Sequence, residues 1–230
     1  MNWKSAHILF KYPARGRRDK FFSTLQSYYD NLINKDDFEF IISIDDDDHE
    51  LNNSDFISAV ESMKNAKVII GPSKGKITAI NRDIERAKPW SIIVLVSDDM
   101  IPVKKGFDMI IRKDMNKHFP DTDGVLWYND GHQGNKLNTL CILGKVYYER
   151  FGYIYHNDYL SLYCDNEFTE VSKRLNKVRY ESLCIIEHQH WAWGYGKMDD
   201  LYTRNEKYIQ QDHDTFQRRA AIGFELPIAA

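Results

Sequence analysis

The chain has 230 residues, 43% hydrophobic and 28% charged, enough to bury one sizeable core. Its net charge of -3 at pH 7 excludes a global basic field of the kind that grips nucleic acid, although Lys11–Lys20 is locally basic. No apolar run reaches the ~20 residues of a membrane helix and no signal-peptide pattern is present, so a soluble, cytoplasmic protein is expected.

In chain order, Ala6–Phe10 reads as a first strand. Asp19–Leu32 follows with apolar residues at near-helical period: Phe21, Phe22, Leu25, Tyr28, Tyr29 and Leu32. Phe38–Ile44 is a second strand running into "DDDD", Asp45 to Asp48. Asp55–Ala66 reads as a helix with Ser54 as its N-cap. Lys67–Ile70 is a third strand, closed by "GPSKG". Ile77–Ala87 is helical and stops before Pro89; Ile92–Val96 is a fourth strand that runs into Asp98 and Asp99. The second half is less regular. Gly124–Tyr128, Thr139–Leu143 and Val178–Ile186 are strand-like, Phe107–His118 and Asn166–Leu175 helical, and the polar tail from Asp199 is helical in parts. The three cysteines, Cys141, Cys164 and Cys184, have no CxxC spacing and read as small core residues in a reducing compartment.

Strands alternating with helices predict an α/β fold: a mixed, mainly parallel sheet flanked by helices on both faces. One domain is expected, with a nucleotide-binding half (1–105), an acceptor-side half (106–198) and a C-terminal helical tail (199–230). In such sheets ligands bind beyond the carboxyl ends of the strands. Those ends here are "KYPARGR", "DDDD", "GPSKGK" and "SDDM".

Each end has a functional reading and a plainer one. Asp98 and Asp99 supply hard oxygens for a divalent cation, or form a polar turn. One acid of "DDDD" can accept a hydrogen bond from a base or ribose, while the others make a solvated turn. An EF-hand does not fit, because the sixth and twelfth positions from Asp45 are Glu50 and Phe56. Arg15, Arg17 and Arg18 offer phosphate-binding forks, or a solvated basic loop. "GPSKGKITAINRD" matches neither a Walker A nor a dinucleotide fingerprint. Asp165 is placed to be a helix N-cap or a general base. His188 and His190 lie two apart and share a face of an extended chain, as a metal-binding pair or as surface histidines. The aromatic stretches "WYNDGHQGNK" and "HWAWGYG" read as acceptor-side walls or as core packing.

The order of these pieces resembles family 2-type glycosyltransferases of the GT-A fold, which use sugar nucleotides. The resemblance spans roughly Ile8 to His190. It rests on "YPARGRRDKFFSTLQSYYDNL", "FIISIDDDD", "GKITAINRDIERAKPWSIIVLVSDDMIPVKKGF" and "YCDNEFTEVSKRL". It implies that Pro13 and the Arg15 loop border the nucleotide and that Asp45 contacts the base. Lys76 and Asn81 would lie near the diphosphate-facing loop and its helix. In the DxD-like "SDDM", Ser97 replaces the first acid, Asp98 sits near ribose and metal, and Asp99 is the direct metal ligand. His188 or His190 would add to the metal. Asp165 would be the catalytic base. The family's Glu-Asp pair is here Cys164-Asp165, which leaves Glu167 as a rival base. The QxxRW motif of processive members is absent.

The resemblance therefore implies an inverting transferase dependent on Mn2+ or Mg2+. It would move one sugar from a nucleotide-sugar, a UDP-sugar, to a hydroxyl of a glycan or nucleic-acid acceptor. Two other readings stand beside it. One is a nucleotidyltransferase of similar fold, disfavoured because "KYPARGRR" carries a single glycine. The other is a non-catalytic glycan- or nucleic-acid-binding module.

Overall fold

The computed structural model describes residues 2–226; the last four residues of the expected tail lie outside them. β1 (Ile8–Ala14), α1 (Arg18–Asn31), β2 (Phe38–Asp45), α2 (Ser54–Glu61), β3 (Ala66–Gly71), α3 (Lys76–Asn81) and β4 (Ile92–Leu95) alternate along the first half. The second half adds β5 (Met100–Pro102), α4 (Phe107–His118), β6 (Val125–Tyr128), β7 (Ile142–Gly144), α5 (Lys145–Phe151) and α6 (Cys164–Arg174). It ends with β8 (Val178–Glu181), β9 (Ile186–His188), α7 (Asp200–Glu206) and α8 (Ile209–Ala221). The fold is the α/β class expected. Seven strands form one sheet in the order β3-β2-β1-β4-β7-β6-β8, and β5 and β9 pair separately. The run β3-β2-β1-β4 is parallel, while β7 is antiparallel to both neighbours.

The sheet is buried on both faces. Ile8, Phe10 and Tyr12 pack against α1, α2 and α4 through Phe21, Leu25, Phe56, Phe107 and Ile111. The alternate residues Leu9 and Ile93 pack against α3, α5 and α6 through Ile77, Tyr147 and Phe168. Each fully buried side chain of this size contributes about 1.5–3 kcal/mol.

Boundaries differ from the sequence reading: the helix expected over Asp55–Ala66 ends at Glu61, that over Asn166–Leu175 starts at Cys164, and the strand over Thr139–Leu143 is Ile142–Gly144. Four further differences have a direct physical cause. β1 continues past Phe10 because Lys11 is itself buried, in register with Ile41. Asn53, not Ser54, caps α2, accepting the N–H of Phe56 at 3.0 Å. The helix expected over Ile77–Ala87 breaks after Asn81. There Arg82 turns to donate to Ile44 O at 2.7 Å, and Asp83, at φ 71°, accepts from Ser43 at 2.6 Å. The single strand expected over Val178–Ile186 is two, because β8 pairs with β6 and β9 with β5.

Lys11 carries a consequence for stability. Its ammonium bonds to Ser43 Oγ, and burial pushes it from 10.5 down to about 7 against the pull of Asp83. Between these values the unfolded chain holds a proton that the folded chain has lost, so stability rises with pH. From pH 7 to 9 the gain attributable to Lys11 is about 2 kcal/mol. Urea melts should show this gain in wild type over Lys11→Met. Parallel pH slopes in the two proteins would mean that Lys11 stays charged.

Candidate active site

The parallel strands end on one edge of the sheet, and the strand order reverses at β1. At that edge lies a cavity of about 520 Å³, a size typical of ligand sites. Pro13, Arg15, Asp45, Lys76, Asp98, Asp99, Asp165, His188 and His190 all line it. Nine of the eleven residues singled out in the sequence thus meet in one place. Asn81 and Glu167 do not line this cavity.

The acid pair after β4 sits in a polar cage. Arg17 Nη1 reaches Asp98 at 3.0 and 3.3 Å, and Lys20 stands 3.9 Å away. Burial and the neighbouring Asp99 push the Asp98 carboxyl up, while Arg17 and Lys20 pull it down. Asp99 is 7% exposed. Ser97 donates to it, Tyr202 donates to it at 2.9 Å, and His188 Nε2 lies 3.7 Å away. Burial works to raise Asp99, but His188, Ser97 and Tyr202 hold it well below the usual carboxylate range. Ser97 therefore supports Asp99.

His188 arrives through the β5–β9 pair, which sets it opposite Met100. Gln189 N donates to Asp99 O at 2.7 Å and His188 N to Asp130 O at 2.9 Å, so the backbone fixes the ring between two carboxylates. Asp130 Oδ2 lies 3.9 Å from Nδ1. Against burial, Asp130 and Asp99 push His188 up to about 9. His190 has a different setting. Its Nδ1 accepts the N–H of Ala192 at 3.3 Å, and its ring packs edge-on to Tyr202 at 4.7 Å. Burial and His188 hold it down to about 4. His188 is thus the imidazole beside the acids. Among the described residues no three His, Cys, Asp or Glu side chains form a ready metal cage. The pair Asp99 and His188, with Asp98 adjacent, nevertheless fits a divalent cation that draws its remaining ligands from a bound molecule.

On the β2 side the acidic and basic runs neutralise each other. Arg15 bonds Asp45 at 2.8 Å and grips Asp47 at 2.6 and 3.1 Å, holding Asp47 down to about 2. Arg82 reaches Asp45 at 3.4 Å. Asp48 accepts Gly16 N–H at 2.8 Å, and Glu50 accepts Arg18 N–H at 2.8 Å. Asp46 and Asp47 are exposed and Asp45 and Asp48 buried, yet three of the four, Asp45, Asp47 and Asp48, bond the arginine loop. Lys76 Nζ bonds Ser161 O at 3.3 Å across the cavity wall. Asn81 instead staples residues 154–157: it donates to Tyr155 O at 2.7 Å and accepts from Ile154 N–H at 2.9 Å. It thus closes the helix that follows the 72–75 loop and does not line the cavity itself.

Asp165 lies in the first turn of α6, whose N-cap is Tyr163. Its carboxylate accepts the Asn166 N–H at 3.0 Å. Burial raises its pKa, with Lys76 opposing. Glu167 is committed elsewhere: Arg219 of α8 grips it at 2.7 and 2.8 Å, and Tyr159 donates to it at 2.7 Å. All three bonds hold Glu167 as a buried brace between α6 and α8.

The tail supplies parts that no sequence motif marked. Asp212 of α8 accepts the backbone N–H groups of Leu160, Ser161 and Leu162 at 2.7–2.8 Å, fixing the loop before Asp165. Arg17 is gripped by Asp199 at 2.6 and 2.7 Å and stacks over Tyr202 at 4.1 Å. The segment around α7 therefore lies against both Asp98 and Asp99.

No family model matches the chain, and no curated protein matches it. Solved structures of similar fold do. S. aureus TarS 1–349 aligns with a TM-score of 0.62 at 15% identity, over 79% of this chain and 60% of that one. Its complex with UDP-GlcNAc aligns with a TM-score of 0.64. The mannosyltransferase PcManGT from Pyrobaculum calidifontis, in complex with GDP-Man and Mn2+, aligns with a TM-score of 0.61 at 14% identity. That match covers 96% of this chain and 77% of the other. The chain spans under two thirds of TarS 1–349. What these likenesses share with the chain is the fold. Among the described residues no helix is long and apolar enough to cross a membrane.

Proposed function

We propose that the protein is a metal-dependent, inverting glycosyltransferase of the family 2 type that moves one sugar from a UDP-sugar to an acceptor hydroxyl. One observation carries this reading: Asp165, a carboxylate with no side-chain hydrogen bond among the described residues, lines the same cavity as Asp98, Asp99 and His188. The cavity thus has a charge-holding end and a proton-accepting wall. The shared fold of TarS with UDP-GlcNAc and PcManGT with GDP-Man and Mn2+ supports it.

Residues 1–105 bind the donor, residues 106–198 form the acceptor side, and the described part of the tail, from Asp199 to Arg219, braces both. The loop from Pro13 to Arg17 borders the nucleotide, with Asp45 at the base and Asp98 at the ribose. Asp99 and His188 would hold a divalent metal, Mn2+ or Mg2+, which would supply positive charge against the diphosphate leaving group. Lys76 adds positive charge on the same side. Asp165 takes the proton of the acceptor hydroxyl as its oxygen attacks the anomeric carbon from the face opposite the diphosphate. The free thiols of Cys141, Cys164 and Cys184 support a reducing, cytoplasmic setting.

Calorimetry with UDP tests the donor end. Wild type should bind UDP more tightly with Mn2+ than without. Asp99→Ala should lose at least about tenfold of the Mn2+-dependent affinity. Equal affinities in the two proteins would remove Asp99 from the metal site. Tighter binding of GDP than of UDP would reassign the donor base.

A further inference from the structure

We infer that the cavity mouth carries a built aromatic subsite, centred on Trp193, that takes a neutral pyranose ring as the acceptor. The inference rests on the transferase reading above and names the class of its second substrate.

The platform is composed of two loops locked together. Trp193 lines the cavity and is 42% exposed. The His132 ring stacks parallel to the indole, with centroids 5.1 Å apart and planes within 4°. Tyr195 closes the stack edge-on to His132 at 5.6 Å. Neither loop is loose. Asp130, 1% exposed, accepts the N–H groups of His132 and Gln133 at 2.9 and 2.7 Å and the Thr139 hydroxyl at 2.6 Å. Tyr195 donates to Glu187 at 3.0 Å, and Gln189 donates to the other oxygen of Glu187 at 2.8 Å. A Cβ on Gly131 would meet Glu187 at 3.3 Å, so the loops touch where only glycine fits easily.

A flat, pre-ordered aromatic surface presented to a solvent-filled cavity has two natural occupants, the C–H face of a sugar or a nucleobase. Charge decides between them. A nucleic-acid strand needs a basic track for its phosphates. The groups that anchor this platform are the acids Asp130 and Glu187, and the cavity arginines Arg15 and Arg17 are already paired with Asp45, Asp47, Asp98 and Asp199. A neutral sugar has no phosphate to be repelled, and its hydroxyls match the polar edges of Gln133 and Thr139, which line the same wall. A hydroxyl is also what Asp165 requires.

Saturation-transfer NMR with methyl glucopyranoside, galactopyranoside and mannopyranoside tests this directly, since none has an aromatic aglycone. The proteins are wild type, Trp193→Ala and Trp3→Ala, the last removing an indole remote from the cavity. At least one pyranoside should receive saturation on its ring C–H protons from wild type and Trp3→Ala. The signal should fall at least about fivefold in Trp193→Ala. No transfer to any of the three from wild type, or undiminished transfer from Trp193→Ala, overturns the subsite. So does Trp193-dependent binding of a single-stranded oligonucleotide with no pyranoside signal, which would assign the platform to bases. UDP binding by wild type is read in parallel. Failure there with pyranoside binding intact overturns the donor reading and leaves the subsite standing.

Discussion

Asp165→Asn should lower the rate of sugar transfer by about 10²–10⁴-fold while leaving UDP binding in place. The substitution keeps size and hydrogen-bonding shape and removes only the capacity to take a proton. The carboxylate sits in the first turn of α6, where the helix dipole favours negative charge, yet burial raises its pKa. A raised pKa makes a better-matched base near neutral pH. It also sets the sign of the pH dependence. The base works only when deprotonated, so transfer should fall as pH drops through the raised Asp165 pKa. Rate profiles of wild type and Asp165→Asn should differ by this acid limb. Wild-type turnover in the variant would place the proton acceptor elsewhere, although Glu167 is already tied to Arg219.

Arg219→Ala should cost about 3–5 kcal/mol of stability, because it leaves Glu167 charged and buried without its partner. Arg219 is 2% exposed and Glu167 5%. At about 2–4 °C per kcal/mol for a chain of this size, the melting temperature should fall by roughly 10 °C. The double variant Glu167→Gln/Arg219→Met removes both charges and should recover a substantial part of that loss. A melting temperature for Arg219→Ala within about 2 °C of wild type would show that Glu167 finds water or another partner. The pair also ties α8 to the helix that carries Asp165, so transfer should weaken in Arg219→Ala even well below its melting point.

The alternation of strands and helices was readable because buried strands such as Phe38–Ile44 are continuous apolar runs and helices such as Phe107–His118 keep their period. Ends were harder. Asn53 and Ser54 are both good caps, and only the fold decides between them. Lys11 looked like a strand end because its charge is satisfied by Ser43 from another strand. The strand ends pointed to the cavity because parallel sheets place them together. The break after Asn81 was not legible, because it depends on Arg82 and Asp83 reaching β2. Asp212, Arg219 and Tyr202 left no readable signal, and the ion pairs of Arg17 were equally hidden. Their partners are the 160–162 loop, Glu167, Asp99 and, for Arg17, Asp98, all distant in the chain, and no local spacing encodes such pairs.

The pairing of β5 with β9 has a consequence for how the molecule is made. During synthesis the parallel strands β1 to β4 emerge first and can pair with one another. Closing β5 onto β9 requires a long loop, and its entropy cost grows only slowly with length. The wait for residue 188 is therefore one of synthesis rather than of energy. Until then Asp99 lacks His188, and Asp165 lacks Asp212 and Arg219 still longer. A nascent chain thus holds Asp99 and Asp165 before it holds the partners that fix Asp99 and the loop before Asp165.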